Sequence, residues 1–319
     1  MKAAQVQARG VVEIIEIGAP ELEVDHAIVR PEILSICGSD LRQIYTLADA
    51  QYPLGIGESG HEIIGVVEAV QYSSKIVFPL EPGERVLAVP AAPHGGVAEC
   101  FMTSPSTLHR VPEHPIDEMV MAQPLATVIS GVQRLSPVNA RSVVVIGQGA
   151  IGLLFDLMLR RMGAARIVGI DLSAARRQAA ARFGATEVVD GAAGDVVAQA
   201  RAALGGGLAD VVIDASGEPG AISLCAPLVR RGGEILFFGL PKQRVFDFDF
   251  FTFHSKTPTV LFAAVGGKPM FDLAINLISR GDVDVSGMIT HRFPLEWAAA
   301  AFDLAQNRSE GALRVAIEF

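Results

Sequence analysis

The chain has 319 residues, half of them hydrophobic and 19% charged, with a formal net charge of −9. That acidic balance argues against nucleic acid as a main partner, and the apolar content excludes a disordered chain. The length exceeds the about 250–300 residues at which one core stops growing, so two domains are expected.

The first 18 residues alternate like a strand and carry no apolar block of the signal-peptide kind. Cys37, Cys100 and Cys225 are too few and too scattered for a disulfide framework, which suits a reducing, cytoplasmic setting. Apolar runs at 26–36, 61–70 and 84–90 lie between Gly, Pro and Asp breakers and predict a folded, partly barrel-like sheet. From about Gln123 the pattern changes to strands alternating with helices. Residues 142–147, 166–171, 187–190, 210–216 and 234–240 read as buried strands, with helical periodicity between them. Such alternation predicts right-handed βαβ units and a doubly wound parallel sheet. Val143–Leu159 is apolar enough to suggest a membrane span, but Gln148, Asp156 and three glycines interrupt it. A strand, turn and helix explain it, and no membrane contact is expected. After residue 265 come a helix, a strand near 289–293, a helix over 295–306 and a last strand over 312–319.

The pairs Arg160–Arg161, Arg176–Arg177 and Arg230–Arg231 read as helix surfaces, and 244–254, alternating Phe with Asp, as an edge strand or loop. Cys225 reads as an inert core thiol, and Trp297 with Leu295 and Phe302 as a core-facing helix stripe. His94 and His109 read as surface-loop residues; His26, His114, His254 and His291 read as structural.

Gly147-Gln148-Gly149-Ala150-Ile151-Gly152 directly follows an apolar strand and opens an apolar helix. Gly147 permits the tight turn, Gly149 lets backbone approach a pyrophosphate, and Gly152 lets helix and strand pack closely. The helix N-terminus offers its free N–H groups to the phosphates. Asp171, 19 residues past Gly152, is placed to accept from the ribose hydroxyls of NAD and to repel the extra phosphate of NADP. Cys37 and His61-Glu62 offer a thiolate, an imidazole and a carboxylate, the donor types zinc takes. Their spacing alone identifies no metal site.

Cys37-Gly38-Ser39-Asp40, Gly60-His61-Glu62, Glu84-Arg85-Val86, the GGVAE run at 95–99, Gln123-Pro124-Leu125 and the glycine motif follow one another in a recognisable order. That order resembles the medium-chain dehydrogenase/reductase family over essentially the whole chain, most of all its zinc-dependent alcohol, sorbitol, glucose and threonine dehydrogenases. The resemblance implies an α/β protein with a GroES-like β-rich catalytic domain (1–127 with 266–319) and a Rossmann domain (128–265). Cys37 and His61 match the two zinc ligands, and Glu62 matches an acidic residue that ligates zinc or stands beside it. Gln123 stands where relatives place Cys or Glu, its amide oxygen a further donor. Ser39 matches the proton-relaying hydroxyl and Asp40 the carboxylate that orients the zinc histidine. Arg42 replaces a histidine that in many relatives ends the relay. Thr127 matches a nicotinamide neighbour and Val265 a carboxamide contact. Arg176 matches a contact to the adenosine ribose, and Arg314 one to the pyrophosphate. The four-cysteine loop of a structural zinc is absent, so one catalytic zinc and no structural zinc are expected. The implied function is hydride transfer between NAD and a secondary alcohol of polyol, cyclitol or sugar type, by a homodimer or homotetramer. A zinc-free NAD(P)H-dependent enone or quinone reductase of the same fold, and a non-catalytic nucleotide-binding protein, are the competing readings.

Overall fold

The structure, a computed structural model, describes residues 1–90, 95–263, 266–308 and 311–319. His94 and Val265 therefore lie outside the described residues. The chain divides into two compact units, Met1–Gln123 with Phe271–Phe319, and Pro124–Met270.

The first unit begins with an antiparallel pair, β1 (Lys2–Ala8) and β2 (Val11–Glu16). Strand β3 (Ala27–Ser35) then runs into helix α1 (Gly38–Thr46). Strands β4 (Ile63–Val70), β5 (Arg85–Ala88), β6 (Phe101–Thr103) and β7 (Leu108–Arg110) follow. Helices α2 (Ile116–Met119) and α3 (Ala122–Val132) close this stretch, and α3 carries the chain across the unit boundary.

The second unit alternates strand and helix throughout. Its elements are β8 (Ser142–Ile146), α4 (Ala150–Arg161), β9 (Arg166–Asp171), α5 (Ala174–Arg182), β10 (Glu187–Asp190) and α6 (Val196–Ala203). They continue with β11 (Ala209–Asp214), α7 (Pro219–Leu228), β12 (Val229–Phe237), α8 (Phe250–Lys256) and β13 (Thr259–Phe262). The six strands are all parallel in the order β10-β9-β8-β11-β12-β13. This is the 3-2-1-4-5-6 order of the Rossmann fold, whose ligand crevice opens at the carboxyl ends of the strands where the order reverses, here β8 and β11. Both faces of that sheet are covered, which is why its strands are apolar runs rather than alternations. On one face α4 buries Leu153, Leu154, Phe155, Met158 and Leu159, each worth about 1.5–3 kcal/mol when fully removed from water.

Helix α9 (Lys268–Ser279) leads back to the first unit, where β14 (Ile289–Pro294), α10 (Ala298–Asn307) and β15 (Arg314–Glu318) complete a seven-stranded sheet. Two registers in this sheet assemble the site. Antiparallel β3 and β4 set Leu34 opposite Ile63, and one step further Ser35 N donates to Glu62 O at 2.9 Å. On the other side β15 sets Ala316 opposite Ser35, and Ile36 N donates to Val315 O at 3.0 Å. The end of β3 is thus flanked by the start of β4 and the start of β15. Cys37, His61, Glu62 and Arg314 converge there.

Four local expectations are corrected. Residues 244–249 are irregular, but Phe250–Lys256 is helical because the Asp249 side chain accepts from Thr252 N at 2.9 Å and caps it. Arg230 and Arg231 belong to β12 rather than a helix, since pairing of Val229 with Ala209 draws this backbone into the parallel sheet. Trp297 is 62% exposed, because it ends a short 3₁₀ turn of which only Leu295 faces the core. His109 is buried on β7, its Nδ1 3.2 Å from Asp272 Oδ1 and its ring 4.8 Å from that of Phe271. Cys225 is fully buried, and burial pushes its thiol well above the ordinary value. Among the described residues no helix is long and apolar enough to cross a membrane.

Candidate active site

One donor atom each of Cys37, His61 and Glu62 lies within 4.8 Å of the other two. The cluster is positioned by Asp40, on the first turn of α1 and fully buried. Asp40 Oδ2 accepts from Cys37 N at 2.8 Å, closing the helix end, while Oδ1 lies 3.0 Å from His61 Nδ1. One carboxylate therefore fixes the backbone of one donor and the ring of another, and leaves His61 Nε2 as the nitrogen for a metal. Burial opposes charge on His61, but the nearby Asp40 and Cys37 outweigh it and hold its pKa well above the ordinary value. Two residues before His61, Ser59 is buried at φ +80, a left-handed conformation that a non-glycine residue adopts only under strong constraint.

Glu62 is 1% exposed and accepts from Arg314 Nη2, while Arg314 Nε donates to Ser35 Oγ at 2.7 Å. Arg314 is 7% exposed. Burial disfavours its charge, but Glu62 above all, then Cys37 and Asp40, sustain it. Two of the three guanidinium nitrogens of Arg314, Nε and Nη2, are thus engaged by Ser35 and Glu62. Withdrawing Arg314 would strand a buried carboxylate charge, at a cost of several kcal/mol. Ser35 carries no local signal that marks it, and was missed for that reason.

Ser39 lies half-buried on α1, one residue before Asp40, and Arg42 is exposed one turn on. Gln123 is buried at the start of α3, and Thr127 follows it one helical turn later. The Thr127 hydroxyl donates to Pro124 O at 2.8 Å, so only its lone pairs remain for a ligand.

In the second unit the glycine motif spans the end of β8 and the start of α4. Gly147 has φ +94, and a side chain there would meet Ser216 in the loop after β11. A Cβ on Gly152 would fall 1.9 Å from Gly147 O, so only glycine closes this turn. Gly149 caps α4 with no side-chain hydrogen bond, so no capping side chain occupies the helix N-terminus. Asp171 ends β9 and ties the loop down, Oδ2 accepting from Gln148 N at 2.7 Å and Oδ1 from Ser173 N at 2.8 Å. Leu172 beside it is 72% exposed and brings no charge. Arg176 and Arg177 occupy the first turn of α5.

Residues 150–280 match the Zinc-binding dehydrogenase family, and residues 23–114 the Alcohol dehydrogenase GroES-like domain. The chain is 29% identical to the L-galactonate-5-dehydrogenase of Escherichia coli, covering 89% of each chain. It is 28% identical to the D-altritol 5-dehydrogenase of Agrobacterium fabrum, covering 92% of this chain and 93% of that one. Among solved structures it is similar to the galactitol-1-phosphate dehydrogenase of Escherichia coli, with a TM-score of 0.87 at 22% identity over the full length of both chains.

Proposed function

We propose a reaction for this chain, which belongs to the zinc-dependent medium-chain dehydrogenase/reductase family: reversible hydride transfer between a secondary alcohol of a polyol or sugar-like substrate and NAD. The observation that carries the reading is the crowding of a thiol, an imidazole and a carboxylate within 4.8 Å, the first two positioned by buried Asp40 and the third by Arg314. This is the donor set of a catalytic zinc with a position left for substrate. Bound there, zinc supplies Lewis acidity toward the alcohol oxygen, and the nicotinamide accepts the hydride.

The chain's own residues do the rest. Cys37, His61 and Glu62 hold the metal, with Gln123 as a further oxygen donor. Asp40 fixes the His61 ring. The Ser39 hydroxyl takes the proton of the substrate alcohol. Arg42 cannot accept that proton, because a guanidinium stays charged at any relevant pH, so the relay ends at solvent beside exposed Arg42. Thr127 stands beside the nicotinamide, and Asp171 reads the ribose and disfavours NADP. The polyol assignment draws on the substrates named for the curated relatives. The three cysteines are unpaired, which fits the cytoplasmic setting proposed, and a homodimer or homotetramer belongs to the same proposal. A zinc-free reductase would leave the cluster around Asp40 without a purpose.

The test is a screen of zinc-replete protein against polyols, cyclitols and sugars, following NADH formation. At least one polyol is expected to reduce NAD, with NADP disfavoured roughly tenfold or more by repulsion from Asp171. Cys37→Ala and His61→Ala should lose turnover and zinc yet bind NADH normally. Full activity in metal-free His61→Ala would overturn the reading.

A further inference from the structure

We propose that Ser59 is a positioning residue for the metal: its left-handed turn carries His61 into the donor cluster, and zinc binding offsets the strain that the turn stores. The inference rests on the zinc reading proposed above and adds a residue to it. The starting observation is that two penalties fall on one side chain. Ser59 has φ +80, where the Cβ of an L-residue crowds its own backbone. It is also fully buried, and its Oγ has no hydrogen-bond partner among the described residues, a state that protein interiors rarely keep.

The surrounding backbone imposes the turn. Gly57 N donates to Ala4 O at 2.8 Å and Gly57 O accepts from Val97 N at 3.0 Å, so the chain is fixed two residues before Ser59. Glu62 O accepts from Ser35 N at 2.9 Å and fixes it three residues after. Gly60 packs backbone to backbone against the segment 95–97. A Cβ on Gly96 would fall 2.5 Å from Gly60 O, and one on Gly60 would fall 3.2 Å from Val97 N. Ser59 lies in the short span between these points. Gly57 takes φ +67 with no Cβ to strain; two residues on, serine takes the same kind of conformation with one.

Strained backbone persists only where its surroundings over-determine it, and it gathers at ligand sites. His61 and Glu62, two and three residues past Ser59, are two of the three donors. A metal that joins them to Cys37 pulls on the far end of the strained span. In the metal-free protein the turn is held by protein contacts alone, so Ser59 relaxes toward an ordinary φ and its hydroxyl regains a partner. Zinc then selects the strained form, and the fraction of protein in that form scales the apparent affinity. Ser59 thus sets how tightly the cluster holds its metal without touching it.

The experiment compares wild type, Ser59→Ala and Ser59→Gly. Zinc affinity is read by competition with a coloured chelator, and each protein is melted in excess zinc and in excess chelator. Both substitutions remove atoms, so both fit the buried position. Glycine removes both penalties and is expected to tighten zinc by about 5- to 30-fold, the left-handed cost expressed as a ratio. Alanine keeps the Cβ and loses only the unpaired hydroxyl, so its affinity should fall between the other two. Ser59→Gly should raise the melting temperature more in zinc than in chelator, because the metal-free wild type has already relaxed. Equal zinc affinity in all three proteins, with the same melting gain in both media, would show a strain unconnected to the metal and overturn the proposal. Weaker zinc binding by Ser59→Gly would overturn it as well. A wild type that binds no zinc at all would sink the metal reading itself, and this inference with it.

Discussion

Asp156 sits on α4 among Leu153, Leu154, Phe155 and Leu159, fully buried, and neither carboxylate oxygen has a hydrogen-bond partner among the described residues. Burial alone pushes its pKa well above the ordinary 3.8. The folded state therefore holds a proton there that the unfolded chain releases, and linkage gives the sign. The stabilisation is complete below the ordinary value and is lost as pH rises from it toward the raised folded value. We expect the apparent unfolding temperature of the wild type to fall more steeply than that of Asp156→Asn as pH rises from about 5 to about 8. Thermal melts of the two proteins across that range check this, and parallel profiles would mean that Asp156 ionises without penalty. Replacement by an apolar side chain of similar size should stabilise by roughly 1–3 kcal/mol, the usual cost of an unsatisfied buried polar group.

At the scale of elements, α1 is clamped at its first turn. Asp40 joins the Cys37 backbone at the end of β3 to the His61 ring just ahead of β4, so the helix start and the two donors move as one piece. Asn at this position keeps one acceptor oxygen and must give up one contact. Asp40→Asn is expected to lower zinc affinity about 10- to 100-fold, the usual effect of removing such a partner, with little change in fold. Asp40→Ala should add about 1 kcal/mol of lost helix capping. Competition with a chromophoric chelator measures the first effect and chemical denaturation the second; equal zinc affinity in all three proteins would refute the clamp. The glycine loop is a second such element, and here Asp171 plays the clamping part.

For the whole molecule, the proposed function assigns a different ligand to each compact unit. The donor cluster lies wholly in Met1–Gln123 with Phe271–Phe319, and the glycine loop wholly in Pro124–Met270. A ligand stabilises only the state that binds it. Stripping zinc with a chelator is expected to cut hydrogen-exchange protection in β3, α1 and β4 while leaving β8 through β13 unchanged, and adding NADH should protect the latter set. Loss of protection spread evenly over both units would contradict this division.

The alternation of strands and helices in the second unit and the glycine turn were legible in the amino-acid order, because each depends on chemistry within one strand–turn–helix segment; Cys37, His61 and Glu62 were visible there as donor residue types, and only the family resemblance joined them into one set. What only tertiary structure decided was pairing across long stretches of chain. Arg314 meets Glu62 from 252 residues away and Ser35 from 279, through a β15–β3 register that no local pattern encodes. The exposure of Trp297 and the burial of His109 were decided in the same way. Their side-chain chemistry is visible in the sequence, but which face a side chain presents is settled by the elements that pack against it.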